Sequence, residues 1–267
     1  MTIDFHAQGS AGTYAARTTD PGWAAAIARI APPQGLRVAD IGCGGGIYST
    51  ALARMGAAHV TGIDFSARMV QDARDRAAAL GVANVAFAQG EAERTDLPTG
   101  GVDLVLERAL IHHLPSLEDA FAEARRILRP GGVLLIQDRT MDDVLAPPSA
   151  EHLRGWFFAL FPRLADVEAD RRPAAEQVEV ALSAAGVSLA GTHRLTELRR
   201  TYGDVDALRA DLMARTGRSI LHALDDEELA RLTERICREA TVGTAAGEPI
   251  REVDHWTLWE ARVPLGA

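Results

Sequence analysis

No lysine occurs anywhere in the 267 residues; all 28 basic side chains are arginine. That absence excludes pyridoxal-phosphate enzymes and Schiff-base aldolases, which need a lysine amine, and P-loop NTPases and protein kinases, which need a phosphate-contacting lysine. Cysteine is almost missing as well. Cys43 and Cys237 are too few for a disulfide scaffold or a thiolate-only metal site, so a reducing compartment is expected and no metal. The formal charge is −9 and no block of clustered basic residues breaks it, which disfavours a nucleic-acid partner. No apolar run approaches the roughly 18 residues of a membrane span. Met1–Ser10 has neither the basic nor the apolar part of a signal peptide. The expectation is a cytoplasmic protein without a membrane partner; the oligomeric state is not legible.

What is present is a globular composition, 47% apolar and 24% charged, long enough for one large domain or two small ones. From Leu36 to Asp138 short apolar runs alternate with helical patterns, as in a parallel sheet built from βαβ units. Leu36–Ile41, His59–Ile63, Val85–Ala88, Val102–Leu106 and Val133–Gln137 read as strands. Ile47, Ala51 and Met55 mark a helix stopped by Gly56. Ser66 caps a second that ends at Gly81, and Ser116 with Asp119 opens a third, closed by Pro130-Gly131-Gly132 before the fifth strand. Ala174–Ala185 reads as another helix, and Val187–Leu195 and His255–Val263 as the last two strands. Two stretches break the alternation, at about 141–173 and 198–250. In the first, Leu153, Trp156, Phe157, Leu160 and Phe161 form one helical face; in the second, helices are expected after Asp204 and after the Asp225/Glu228 capping pair. Both read as insertions into the sheet domain, which spans 35–267 after an N-terminal lid segment, 1–34.

The strongest local signal is Val38-Ala39-Asp40-Ile41-Gly42-Cys43-Gly44-Gly45-Gly46, a strand running through glycines into a helix. Glycines let the backbone come close to a ligand. Asp64 ends the second strand 22 residues beyond Gly42, where an acid can accept both hydroxyls of a ribose. A dinucleotide site wants G-x-G-x-x-G, but the third glycine position holds Ile47. S-adenosylmethionine carries no phosphate and does not need that tight cradle.

The order of Asp40–Gly46, Gly62-Ile63-Asp64-Phe65-Ser66, Gln89-Gly90-Glu91-Ala92-Glu93, Val102–Leu106, His112-His113-Leu114 and Arg129-Pro130-Gly131-Gly132 resembles class I S-adenosylmethionine-dependent methyltransferases. The likeness is to the small-molecule type related to ubiquinone and menaquinone C-methyltransferases. It implies an α/β, Rossmann-like sheet of seven strands, mostly parallel with an antiparallel last strand, helices on both faces and a helical substrate cap. It also implies methyl transfer to a small molecule, with S-adenosylhomocysteine as product. Asp40, Gly42 and Gly44 would line the methionine end, Asp64 the ribose, and Phe65 and Met69 the adenine. Glu91, where the family usually has aspartate, and the Ala92 N–H would meet the adenine edge. Glu107 would stand on the cofactor side, with Tyr14 and Arg17 covering it from the N-terminal segment.

Ligands in open α/β sheets bind beyond the carboxyl ends of strands, which brings Glu107, Arg108, His112, His113 and Gln137–Arg139 to the cleft. His113 is read as a general base, with Glu107 as a second catalytic candidate. Arg108, His112, Arg139, Trp156 and Arg218 are read as acceptor-binding. Such arginines suit an anionic acceptor, although they equally suit ordinary surface positions in a chain whose every cation is arginine. Two other classes stay open: a non-catalytic S-adenosylmethionine-binding regulator, and a dinucleotide-dependent oxidoreductase.

Overall fold

The computed structural model describes residues 19–245 and 247–265. In chain order the elements are α1 (Pro21–Ile30), β1 (Arg37–Ile41), α2 (Ile47–Arg54), β2 (His59–Asp64), α3 (Ala67–Ala79), β3 (Val85–Gln89), β4 (Val102–Arg108), α4 (Leu117–Ile127), β5 (Leu128–Asp138), α5 (Met141–Val144), α6 (Gly155–Leu160), α7 (Leu164–Ala169), α8 (Ala175–Ala184), β6 (Ser188–Tyr202), α9 (Val205–Met213), α10 (Asp226–Gly243) and β7 (Ile250–Arg262). The seven strands lie in the order β3-β2-β1-β4-β5-β7-β6. β1 to β5 are parallel, and β7 runs antiparallel to β5. This is the mixed Rossmann-like sheet expected from the sequence.

The chain divides into two compact units. Among the described residues, those up to Asp138 with Pro173–Leu195 and those from Thr257 on make a sheet unit; Arg139–Arg172 and Thr196–Trp256 make a helical unit. The sheet unit has an apolar layer on each face. On one, α4 and α8 bury Phe121, Ala124, Ile127, Val178 and Leu182 against Ile41, Val105 and Trp259. On the other, α1 and α2 bury Trp23, Ile27 and Leu52 against Val38, Leu104, Leu106 and Leu258. The β4 residues alternate between the two layers, Val105 in one and Leu104 and Leu106 in the other, so a strand covered on both faces reads as one apolar run. Residues 21–30, inside the segment read as a lid, are thus part of this core, capped by Asp20 at the Trp23 N–H.

The helical unit has its own core, in which Leu153, Phe157, Leu208, Leu212, Leu229, Leu232 and Ile236 pack together. Its helices start where the side chains can take the first free N–H groups. Asp204 accepts from Ala207 at 2.8 Å, and Asp225 and Glu228 close a reciprocal capping box.

Four elements differ in their bounds from the sequence reading. The helix expected from Leu153 to Phe161 is regular only over Gly155–Leu160, with Leu153 and Phe161 packed from the flanking turns. β5 starts at Leu128, not after Pro130-Gly131-Gly132: the register jumps from Val102↔Leu128 to Leu104↔Val133, so the Pro-Gly-Gly segment is an irregularity within the strand. β6 and β7 run on to Tyr202 and back to Ile250, where insertion was expected. Those strand ends are polar, because Arg199 pairs with Glu252 at 2.7 Å, and they therefore show no apolar alternation.

Candidate cofactor and acceptor site

β1 ends in the glycine loop, and the loop turns into α2 through three glycines with positive φ, Gly42 (71°), Gly44 (50°) and Gly46 (73°). Their surroundings differ. A Cβ at Gly46 would come within 2.9 Å of Ala73 and Phe87, and one at Gly42 within 2.8 Å of Leu110, so these two are fixed by packing. A Cβ at Gly44 or Gly45 would meet nothing within 4 Å, so the middle of the loop presents bare backbone to open space.

Asp64, at the end of β2, is 7% exposed and faces this loop. One oxygen accepts the Gly44 N–H at 2.8 Å, the other the Ser66 N–H at 2.9 Å. Ser66 also caps α3 by accepting the Met69 N–H at 3.4 Å, which ties the acid turn to the helix behind it. Phe65 between them is 47% exposed, while Met69 is buried. Glu91 is exposed and paired with Arg94 in a short bridge; Ala92 beside it is buried.

Asp40 lies under the loop. It is 2% exposed and accepts a hydrogen bond from Ser49 Oγ at 2.5 Å. Burial pushes its carboxyl up to about 7, against the Ser49 hydroxyl, which favours the ionised form. Glu107, in register with Ile41 of β1 and Ile136 of β5, is fully buried, and neither carboxyl oxygen has a hydrogen-bond partner among the described residues. Burial, and next the negative charge of Glu93, raise it to about 8.

Beyond β4 the chain bends through Ala109, a non-glycine residue at φ 52° whose N–H reaches the Gln137 carbonyl at 2.8 Å. A left-handed alanine costs energy and persists only where its surroundings enforce it. The bend leads into a short 3₁₀ turn, Ile111–His113. There His112 Nδ1 lies 2.7 Å from Asp138 Oδ2, at the end of β5, with side-chain exposures of 10% and 2%. An ionised aspartate can only accept; paired with one, Nδ1 is the donor, and in the neutral imidazole Nε2 is then the acceptor. The sequence reading favoured His113, which stacks against His112 at 3.9 Å and is more exposed. Asp138 falls within the Gln137–Arg139 stretch expected at the cleft, but the sequence alone gives it no role. The available signal was an acid at the carboxyl end of the fifth strand.

The remaining expected residues are placed as follows. Arg108 stacks its guanidinium 4.0 Å over the Tyr48 ring. In the helical unit, Arg139 pairs with Asp254 at 2.5 Å and lies over Trp256, and Trp156 donates to the Ser149 carbonyl at 3.2 Å. Arg218, 2% exposed, is bound by Asp211 at 2.6 Å and Glu252 at 2.7 Å. Tyr14 and Arg17 lie outside the described residues. Among the described residues no group of three or more His, Cys, Asp or Glu is arranged to hold a metal ion, and no helix is long and apolar enough to cross a membrane.

Residues 39–136 match the model of the methyltransferase domain. A ubiquinone biosynthesis O-methyltransferase of Rhizobium leguminosarum bv. trifolii is 36% identical over 162 residues, 59% of this chain and 61% of that protein. A sterol 24-C-methyltransferase of Gibberella zeae is 31% identical over 121 residues, 45% of this chain and 32% of that one. The chain therefore spans about three fifths of the first of these relatives and one third of the second. The structure of an S-adenosylmethionine-dependent methyltransferase from Mesorhizobium loti shares the fold, with a TM-score of 0.53 at 19% identity over 90% of this chain and 96% of that one. Residues 39–136 thus match a methyltransferase domain, and the chain is similar to ubiquinone biosynthesis O-methyltransferases.

Proposed function

We propose that this protein transfers a methyl group from S-adenosylmethionine to a small-molecule acceptor and releases S-adenosylhomocysteine. The observation that carries the reading is Asp64, a buried carboxylate held against an open glycine loop by the Gly44 N–H. Asp64 would hold the ribose hydroxyls, Gly42 and Gly44 leave room for the methionine end, and Phe65, Met69, Glu91 and Ala92 surround the adenine. Asp40, already engaged by Ser49, stiffens the loop from below. When bound, the cofactor supplies a methyl group on a sulfonium, which is a good leaving group. The protein therefore contributes chiefly by positioning.

His112 is the base in this proposal. Asp138 fixes its ring and tautomer, so that Nε2 can take the proton of an acceptor hydroxyl and the imidazolium formed stays paired with the buried carboxylate. That arrangement favours an acceptor whose reacting atom loses a proton, as an oxygen does. His113 assists by stacking on the His112 ring. Glu107, held as a neutral acid at pH 7, has a proton to donate on the cofactor side. Choice of acceptor is assigned to the helical unit, and the protein acts in the cytoplasm.

Calorimetric titration with S-adenosylmethionine, S-adenosylhomocysteine and NADH tests the cofactor; the first two should bind and NADH should not. Transfer of labelled methyl into a small-molecule extract tests turnover. Binding without any labelled product would favour the regulatory reading, and preferential NADH binding would end the methyl-transfer one. Within an active preparation, His112→Ala should lower turnover about 100-fold, at the low end of what a general base contributes, with S-adenosylmethionine affinity unchanged. An equal loss in His113→Ala but none in His112→Ala would reverse the assignment.

A further inference from the structure

Two arginines of α3 donate to backbone carbonyls outside their own helix, and the methyl-transfer reading gives neither a role. Arg74 reaches the Phe87 carbonyl on β3 at 2.7 Å. Arg76 reaches the glycine loop, where its Nε donates to the Gly45 carbonyl at 3.0 Å. That carbonyl belongs to the least supported part of the loop. A Cβ at Gly45 would meet nothing within 4 Å, and glycines at 44, 45 and 46 leave the peptide units between them free to turn. Hydrogen bonds hold what packing does not. The Gly46 N–H donates to the Cys43 carbonyl at 3.0 Å within the loop, and Asp64 accepts the Gly44 N–H at 2.8 Å. Arg76 fixes the other end of the Gly45–Gly46 peptide, its carbonyl, from a separate element. The α3 face that carries Ala73 and Ala77 is buried with Cys43 and Phe87, so Arg76 starts from a helix already seated against the loop. Partial burial lowers the Arg76 pKa from the usual arginine value, and a charged donor withdrawn from water makes the stronger class of hydrogen bond.

We propose that Arg76 is a positioning residue for the cofactor: its bond to the Gly45 carbonyl holds the open peptide of the glycine loop in the orientation that receives S-adenosylmethionine. Arg76 acts through the loop and not on the reacting atoms, and its role rests on the methyl-transfer reading. Without the bond the Gly45–Gly46 peptide turns over several orientations. Only a fraction of the free protein is then ready to bind, and the apparent affinity falls by that fraction.

The test compares the full-length parent with Arg76→Met, Arg76→Lys and Arg74→Met. Methionine keeps most of the aliphatic stem and removes the donor; lysine restores a cationic donor one bond beyond the place of Nε. By calorimetry, the S-adenosylmethionine Kd should rise about 10-fold in Arg76→Met, the low end of what one hydrogen bond to a charged group is worth, and less in Arg76→Lys. Arg74→Met loses the same kind of bond from the same helix, but to β3, and should bind as the parent does. In the labelled-methyl assay the KM for S-adenosylmethionine should rise with the Kd in Arg76→Met while kcat at saturation holds. Amide hydrogen exchange of the free protein should quicken over residues 42–46 in that variant and stay unchanged in the rest of the sheet unit. An Arg76→Met affinity within about twofold of the parent overturns the proposal, since one lost charged hydrogen bond should cost more. So do equal losses in all three variants, which would trace the effect to α3 as a whole. A parent that binds neither S-adenosylmethionine nor S-adenosylhomocysteine ends the methyl-transfer reading and this role with it, whereas equal, tight binding by the parent and Arg76→Met ends only this role.

Discussion

Replacing Asp64 by alanine is expected to weaken S-adenosylmethionine binding by about 10²–10⁴-fold. Two hydrogen bonds from ribose hydroxyls to a charged acceptor are worth roughly 1.5–3 kcal/mol each, and their joint loss gives that range. The burial of Asp64 places it at the upper part of the range, because a carboxylate that is 7% exposed has little water to fall back on. The substitution also strips the acceptor from the Gly44 and Ser66 N–H groups, so loop order is lost along with ligand contacts. Asp64→Asn separates these effects. It keeps one carbonyl oxygen for one of the backbone donors and removes the charge, so it should fold as the parent does and bind between the two. Calorimetry on all three proteins is the measurement. Affinity within twofold of the parent in Asp64→Ala, with the fold intact by circular dichroism, would sink the ribose assignment.

Much of this site was legible because its signals are local. Glycines at 42, 44 and 46, an acid at the end of the next strand and a serine cap two residues later each follow from backbone needs that only a few residue types meet. The parallel strands were equally plain, since burial on both faces leaves an unbroken apolar run. What stayed hidden depends on partners distant in sequence. His112 and His113 are neighbours and look alike; only Asp138, 26 residues on, distinguishes them. The outer ends of β6 and β7 carry arginines and acids that satisfy each other across strands, so charged strand ends read as a polar insertion. Arg218 read as an acceptor residue because arginine suits an anion, whereas two carboxylates of the chain itself hold it in the interior.

Glu107 leads to the largest stability effect. Its carboxyl titrates near 4.5 in an unfolded chain and is raised to about 8 in the folded one, by burial first and by Glu93 second. A group with a raised folded value keeps its proton in the native state where the unfolded state has lost it, so between those two values stability falls as pH rises. Below about 4.5 both states are protonated and the cost vanishes; above about 8 it is complete, on the order of 4–5 kcal/mol at 1.36 kcal/mol per unit. Asp40, raised to about 7, adds to the same slope. The arginine-bound Glu168, held at about 2, acts in the opposite direction, but its contribution is lost only in acid and leaves the window from 5 to 9 undisturbed. Glu107→Gln keeps the shape and removes the titration. Urea unfolding from pH 5 to 9 should show the parent losing several kcal/mol, and the variant near the parent at pH 5 but clearly more stable at pH 9. Parallel curves would mean that Glu107 ionises as it does in water and is not the isolated acid described above. If the variant also retains turnover, Glu107 moves no proton in the reaction; lost turnover with unchanged S-adenosylmethionine affinity would make its acidic proton part of the chemistry.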